Sequence, residues 1–510
     1  MKKISILVVM AVVFSMITVS CDFLLDALGG DGGEKNFYAQ DLTTKAFYTI
    51  TAKLLAQNEL CEVWADTKSG VSETTAKQIA NTYKTKIYGK MMDTFGWIDT
   101  KSKMNTMEFA DSFCDENGKL TILLLDIRDG YTPGNGHVAG YFASIDFYTN
   151  AQATAAGFRS NETDMIYMDT YPSTAGSEDF YETLAHEMQH LMNFAASLAF
   201  RSKTNQSGQI TEINTMDTWI NEGLSESTAF IYSGKHDEGR LYWYNEGTKS
   251  INKGNNFFIW DNREEDSVAI LDDYATVYLF FQWLRIHNAA SNNPYKIYYD
   301  IHTSSYSNYQ AVLNALKTPA AWDSLLQTWL AANHIQSNTG SYGYGNASID
   351  SDLNKIKKHY APGGANTINL FPGEGVFSIA NANPNPVSGT NINYAYINGG
   401  AVSGSYAAGS TLLTFNKNTD LAGKTEAGTI TGAAAQVAVP SRDISRSAQK
   451  EFLYKIGAGD VIRRRSGEQN IPLDFSLTFD ADRKDSAPSR ALDITLPLDK
   501  ADIIRYREGK

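Results

Sequence analysis

Apolar and polar positions alternate along this chain in two rhythms. Leu120-Thr121-Ile122-Leu123-Leu124-Leu125-Asp126-Ile127 is a nearly continuous apolar run of strand length, as expected of a strand buried on both faces. Leu60-Cys61-Glu62-Val63-Trp64-Ala65, Val138-Ala139-Gly140-Tyr141-Phe142 and Met165-Ile166-Tyr167-Met168 predict three more strands. Ser72 to Tyr88 predicts a helix, with Ser72-Glu73 near its start, and the stretch after residue 40 reads as a moderately apolar helix. A longer helix is predicted after Ser177. Phe180, Leu184, Leu191 and Phe194 form its apolar stripe, Ser177 is a good N-cap, and Glu178 and Asp179 suit the positive end of the helix dipole. Met216 to Tyr232 and Asp273 to Ile286 predict two further helices, the second rich in large apolar residues.

Near residue 362 the pattern changes. Pro362-Gly363-Gly364 reads as a linker, and beyond it Gly, Asn, Ser and Thr surround short alternating runs such as Asn393-Tyr394-Ala395-Tyr396-Ile397 and Thr411-Leu412-Leu413-Thr414-Phe415. The expected fold class is α+β, with a domain over residues 45–362 followed by a β-rich, sandwich-like domain over residues 363–510.

The first twenty residues read differently again. Lys2 and Lys3 precede an apolar run from Ile4 to Val19, and Thr18-Val19-Ser20-Cys21 ends it. A small residue before cysteine at the end of such a run resembles a bacterial lipoprotein cleavage site, although Thr18 stands where leucine is usual. The expectation is a lipoprotein signal over residues 1–20, acyl chains on Cys21 and a tether over residues 21–44 containing Gly29-Gly30-Asp31-Gly32-Gly33. The protein would then be exported and membrane-anchored, in the periplasm or on the surface of a bacterium. No later stretch reaches the roughly 18 apolar residues of a membrane span. Of the other cysteines, Cys61 and Cys114, an exported protein permits a disulfide but the sequence does not require one.

The chain has 510 residues, 43% hydrophobic, enough for substantial cores. Its net charge of −13 argues against non-specific binding to nucleic acid or an anionic membrane. Oligomeric state is not legible.

The chemistry is concentrated in His186-Glu187-Met188-Gln189-His190. Residues four apart on a helix share a face, so both imidazoles can grip one Zn2+, and Glu187 is placed to reach a water beside it. A catalytic zinc usually has three protein ligands and an open position. A third histidine just downstream would need glycine at 193 and histidine at 196, where Asn193 and Ala196 stand. A glutamate from a following helix fits instead. In Trp219-Ile220-Asn221-Glu222-Gly223-Leu224-Ser225-Glu226, Glu222 is the third ligand, and Glu226, four residues on, can accept from the far nitrogen of a ligand histidine.

The Asn-Glu-Gly that follows a tryptophan downstream of this motif is similar to the gluzincins. The longer strings His186 to Phe194 and Trp219 to Ser225, with the strand Met165 to Asp169 before them, resemble the hyicolysin family of neutral metallopeptidases. The likeness is strong over about residues 160–230 and fades on either side. It implies a zincin-like catalytic domain, with a mixed sheet beside the active helix and a mainly helical second lobe. It also implies a zinc endopeptidase acting on polypeptides, with His186, His190 and Glu222 on the metal and Glu187 in catalysis. Asp273-Tyr274-Ala275-Thr276-Val277-Tyr278-Leu279-Phe280-Phe281 is similar to the segment that carries a tyrosine oxyanion donor in aminopeptidase-type gluzincins. Tyr274 is favoured for that role, with Tyr278 and His287 behind it. An extended substrate is expected to add to a sheet edge near Gly140 to Asp146. The alternative is a surface binding or adhesion lipoprotein whose zinc domain is a scaffold, distinguished by whether casein or gelatin is cleaved in a chelator-sensitive way.

Overall fold

The computed structural model describes residues 33–105, 117–131, 137–147, 150–155, 157–204, 210–246, 251, 254, 257–259, 269–361, 367–380, 390–421, 426–429 and 475–479. The signal-like segment with Cys21 lies outside them, as does Cys114. Among the described residues no helix is long and apolar enough to cross a membrane.

The main layer is a seven-stranded mixed sheet. Its first six strands in chain order are β1 Glu34–Gln40, β2 Phe47–Gln57, β3 Cys61–Asp66, β4 Leu120–Leu125, β5 Val138–Ala143 and β6 Met165–Asp169. The spatial order is β1-β2-β3-β4-β6-β5, and Phe475–Phe479 pairs as the seventh strand on the outer edge of β5. Pairing is antiparallel between β1, β2 and β3, parallel between β3, β4 and β6, and antiparallel from β6 through β5 to Phe475–Phe479. Strands β4, β5 and β6 are buried along their whole length, as the unbroken apolar runs require. Cys61 is a free thiol buried in β3, pushed up to about 12 by that burial.

Two expectations at the N-terminal side are corrected. The stretch after residue 40 is the eleven-residue strand β2, not a helix. Lys53 to Gln57 are good helix formers, but Phe47-Tyr48-Thr49-Ile50-Thr51 is aromatic and β-branched, and pairing on both sides decides the outcome. Glu34–Gln40, within the stretch read as a tether, forms β1.

The helices begin with α1 Glu73–Thr82, whose Ser72 cap accepts from the Thr75 N–H, and run through a π-helical turn at Tyr83–Tyr88 into α2 Gly89–Thr94. Then come α3 Trp97–Asn105, α4 Asn150–Ala155 and the long α5 Glu178–Arg201. The second lobe is helical: α6 Thr218–Ser233, α7 Glu238–Glu246, α8 Ala269–Asn288, α9 Lys296–His302, α10 Tyr309–Ala315 and α11 Trp322–Ile335. Its core is aromatic. Trp219 lies 5.9 Å, ring centre to ring centre, from Trp322, and Phe257 stacks on Phe280 at 4.6 Å.

Between residues 367 and 429 the strands form a four-stranded antiparallel sheet (Gly375–Ile379, Ile392–Asn398, Ala401–Ser403, Thr411–Asn416) and a two-stranded one (Thr367–Leu370, Glu426–Thr429). Phe377, Leu413 and Phe415 on the four-stranded sheet share one continuous core with the helical lobe.

Helix α5 lies between β5 and β6 on one side and α6 on the other, and α6 in turn packs on α8. Gly223 makes the α6–α8 contact close, since a Cβ there would collide with the buried Phe281 ring. In an open helix alanine is favoured over glycine by about 1 kcal/mol. Overpacking costs roughly 1–3 kcal/mol, so Gly223→Ala is expected to lower stability. Chemical denaturation checks this; a midpoint at or above wild type would show that Phe281 gives way freely.

Candidate metal centre

Helix α5 is anchored at its start by the Ser177 hydroxyl, which accepts from the Phe180 N–H at 3.2 Å. Phe180, Leu184, Leu191 and Phe194 are buried, as their spacing predicts. The motif residues are buried as well: His186 is 5% exposed, Glu187 0%, His190 1% and Glu222 6%. So much polarity in a dry interior requires partners.

The side chains converge. His186 Nε2 and His190 Nε2 are 2.9 Å apart, and Glu222 Oε2 lies 3.5 Å from each. The three donor atoms all lie within 4.8 Å of one another, as a metal site requires. Donors held about 2.0–2.1 Å from a tetrahedral ion would sit roughly 3.3 Å apart, so this spacing fits one divalent ion. Two imidazoles and a carboxylate are also a donor set that suits zinc.

The charges are mutually dependent. Burial opposes a proton on either ring, but at His190 the Glu222 carboxylate outweighs it and pushes the ring above its usual value. Burial holds His186 down to about 4, and the charge beside it on His190 adds to that. For Glu222 burial acts upward, yet the two imidazoles overcome it and keep the carboxylate ionised. The Glu222 carboxylate thus faces two imidazole nitrogens in a dry site, where a cation would be its counterion.

A second layer orients the rings. Glu226 Oε1 lies 3.4 Å from His186 Nδ1, and Arg240 Nη2 donates to the same oxygen at 3.0 Å while its Nε donates to Oε2. His190 Nδ1 meets the Ser225 hydroxyl at 3.1 Å, and that hydroxyl donates to Gln189 Oε1. Both rings thereby turn Nε2 toward Glu222. One turn along α5, the Asn193 amide donates to Asn221 on α6 and accepts from Arg201 Nη2 at 2.8 Å. Arg201 continues to the carbonyls of His302 and Ser304 at 2.8 and 3.1 Å, pinning α5 to the helical lobe.

Of the tyrosine candidates, Tyr274 is buried, its ring centre 5.0 Å from the Arg240 guanidinium carbon. The Tyr278 hydroxyl is engaged by His236 Nδ1 at 2.7 Å and by the Asp237 N–H at 3.2 Å. His287 Nε2 bonds the Gly343 carbonyl at 2.7 Å, tying down a different loop. The edge of β5 expected to receive substrate is paired with Phe475–Phe479, from Phe475 opposite Ala143 to Thr478 opposite Gly140, with a register shift before Phe479 opposite Val138, and Ser144–Phe147 is a 3-10 turn. That expectation is corrected: the edge is not open. A cavity of about 780 Å³ reaches His186, Glu226 and Arg240 instead, with Glu178, Glu182 and Asp237 on its wall. Burial pushes Glu182 up to about 8, reinforced by Asp237, Asp179 and Glu178.

Sequence reasoning missed Arg240, Ser225, Gln189 and Arg201. Ser225 carried a signal, lying one turn after Glu222 on the same helix. Arg240 carried none.

No protein-family model matches the chain. The chain is similar to the neutral metalloprotease ShpI of Staphylococcus hyicus, at 28% identity over 288 residues. The match covers 55% of this chain and 57% of that protein, so the chain spans little more than half the length of this relative.

Substitution tests the donor set directly. By elemental analysis, zinc is expected in the wild-type chain and is expected to be lost in Glu222→Ala and in His190→Ala. Both variants should also lose the zinc-dependent rise in thermal stability, about 2.7 kcal/mol when zinc is 100 times its Kd. Unchanged zinc content in Glu222→Ala would exclude that carboxylate as a ligand.

Proposed function

We propose that this chain is a zinc-dependent endopeptidase of the hyicolysin kind, with a zincin-like catalytic domain. His186, His190 and Glu222 would hold one Zn2+, and Glu187 would act as general base. The observation that carries this reading is the convergence of three donors from two helices at metal-ligand spacing. The similarity to a protein named as a neutral metalloprotease supports the same reaction class.

Bound zinc supplies Lewis acidity and brings the pKa of water from about 16 to about 7. The chain's own groups do the rest. Glu187 is fully buried, and its charge is felt at His190. It takes a proton from the attacking water as the oxygen bonds to the scissile carbonyl carbon. It delivers that proton to the leaving nitrogen as the C–N bond breaks. Tyr274 is assigned to stabilise the carbonyl oxygen as it becomes anionic. Glu226 and Ser225 keep the two imidazoles in the tautomer that presents Nε2. With the β5 edge paired, a polypeptide would approach through the cavity beside His186. The signal-like residues 1–20 and Cys21 support export with a lipid anchor.

The full chain is expected to cleave casein, to stop with a chelator and to resume when zinc is restored. Glu187→Gln should keep its zinc yet lose about 10²- to 10⁴-fold in kcat. Chelator-resistant cleavage would remove the metal from the reaction, and full activity in Glu187→Gln would remove the general base.

A further inference from the structure

We propose that Arg240 is the positioning residue of the metal centre: its guanidinium clamps Glu226 against His186 and braces the ring of Tyr274. The inference rests on the zinc reading above and adds to it a residue that belongs to no motif.

The geometry is specific to arginine. Glu226 Oε2 takes the Arg240 Nε–H, and Oε1 takes the Nη2–H at 3.0 Å while lying 3.4 Å from His186 Nδ1. A planar fork holds both carboxylate oxygens at once, whereas an ammonium holds a point. Arg240 is 4% exposed and Glu226 3%, so each is the other's counterion out of bulk water. The guanidinium also lies over the Tyr274 ring, its carbon 5.0 Å from the ring centre. One side chain therefore touches both the support of a ligand histidine and the tyrosine assigned to the oxyanion.

The backbone that carries Arg240 is itself held. Helix α6 ends at Gly234, whose φ of +70° is a left-handed turn suited to glycine, and the chain reverses there. His236 then bonds Tyr278 through Nδ1 at 2.7 Å and Asp350 through Nε2 at 3.0 Å, and Arg285 pairs with the same Asp350 oxygen. Asp237 Oδ1 accepts from the N–H groups of Gly239 and Arg240 at 2.8 and 3.1 Å, fixing the first turn of α7. The loop between α6 and α7 is thus tied to two other parts of the helical lobe before Arg240 reaches back to Glu226.

The test uses the full chain and measures zinc affinity by chelator competition, melting of the metal-free protein, and kcat and KM on casein-derived peptide. Arg240→Met is expected to bind zinc about 10- to 100-fold more weakly and to lower kcat more than it raises KM. Arg240→Lys should recover only part of both. Because Arg240→Met strands a buried carboxylate and can fail to fold, Glu226→Gln with Arg240→Met removes both charges together. Its zinc affinity should fall no further than that of the weaker single variant, since Arg240 acts through Glu226. Wild-type zinc affinity in a folded Arg240→Met protein, or in the double variant, overturns the proposal even if the metal-free melting point drops. A wild-type chain that binds no zinc overturns the parent reading, a result distinct from a wild type that binds and variants that bind equally well.

Discussion

The structure depends on keeping a set of charged and polar side chains dry between two helices. His186, His190, Glu222, Glu226 and Arg240 are all buried around the contact of α5 with α6. An isolated charge in such a place would be strongly disfavoured, so every member is held by another. Glu222 faces both imidazoles, and Arg240 offsets Glu226. This mutual dependence is what turns two helical histidines into a candidate centre for a cation.

Apolar packing sets the frame in which that balance is possible. The fully buried strands β5 and β6 back α5, and the aromatic core around Trp219 backs α6. Between the two supports runs a polar seam of Gln189 with Ser225 and Asn193 with Asn221, closed by Arg201. Hydrogen bonds of this kind fix the relative sliding of two helices more tightly than apolar contact does, because each has one satisfactory geometry. Asn193, which breaks the pattern of a downstream third histidine, is part of this seam.

Periodicity made most of the central fold legible. The strands at β3, β4, β5 and β6 and the helices α1, α5, α6 and α8 follow from short-range rules that act within a few residues. Those same rules bring His186 and His190 together, since their spacing is a property of one helix. Glu222 needed a second helix; the string Trp219 to Glu226 offered it as the third ligand, and the resemblance implied the same role. The failures share a cause. β2 contains residues that favour either state, and its neighbours β1 and β3 settle the choice through pairing. Arg240 lies on a separate helix, and only the path of the chain through Gly234 brings it back to Glu226. The pairing of Phe475–Phe479 with β5 joins segments far apart in sequence, and no local pattern encodes it.

That last pairing bears on how the molecule is built. Six neighbouring strands of the main sheet come from the first third of the chain, but the strand that closes the β5 side is translated only after the helical lobe and the second sheet. A sheet formed before that strand is in place would present unpaired backbone amides along β5, a template for an extended chain nearby. Completing the sheet requires a closure across most of the polypeptide, a step whose entropy cost rises only slowly with loop length but whose rate suffers more. If helices α5 and α6 form before that closure, they stand beside an open β5 edge, which the finished fold covers with Phe475–Phe479.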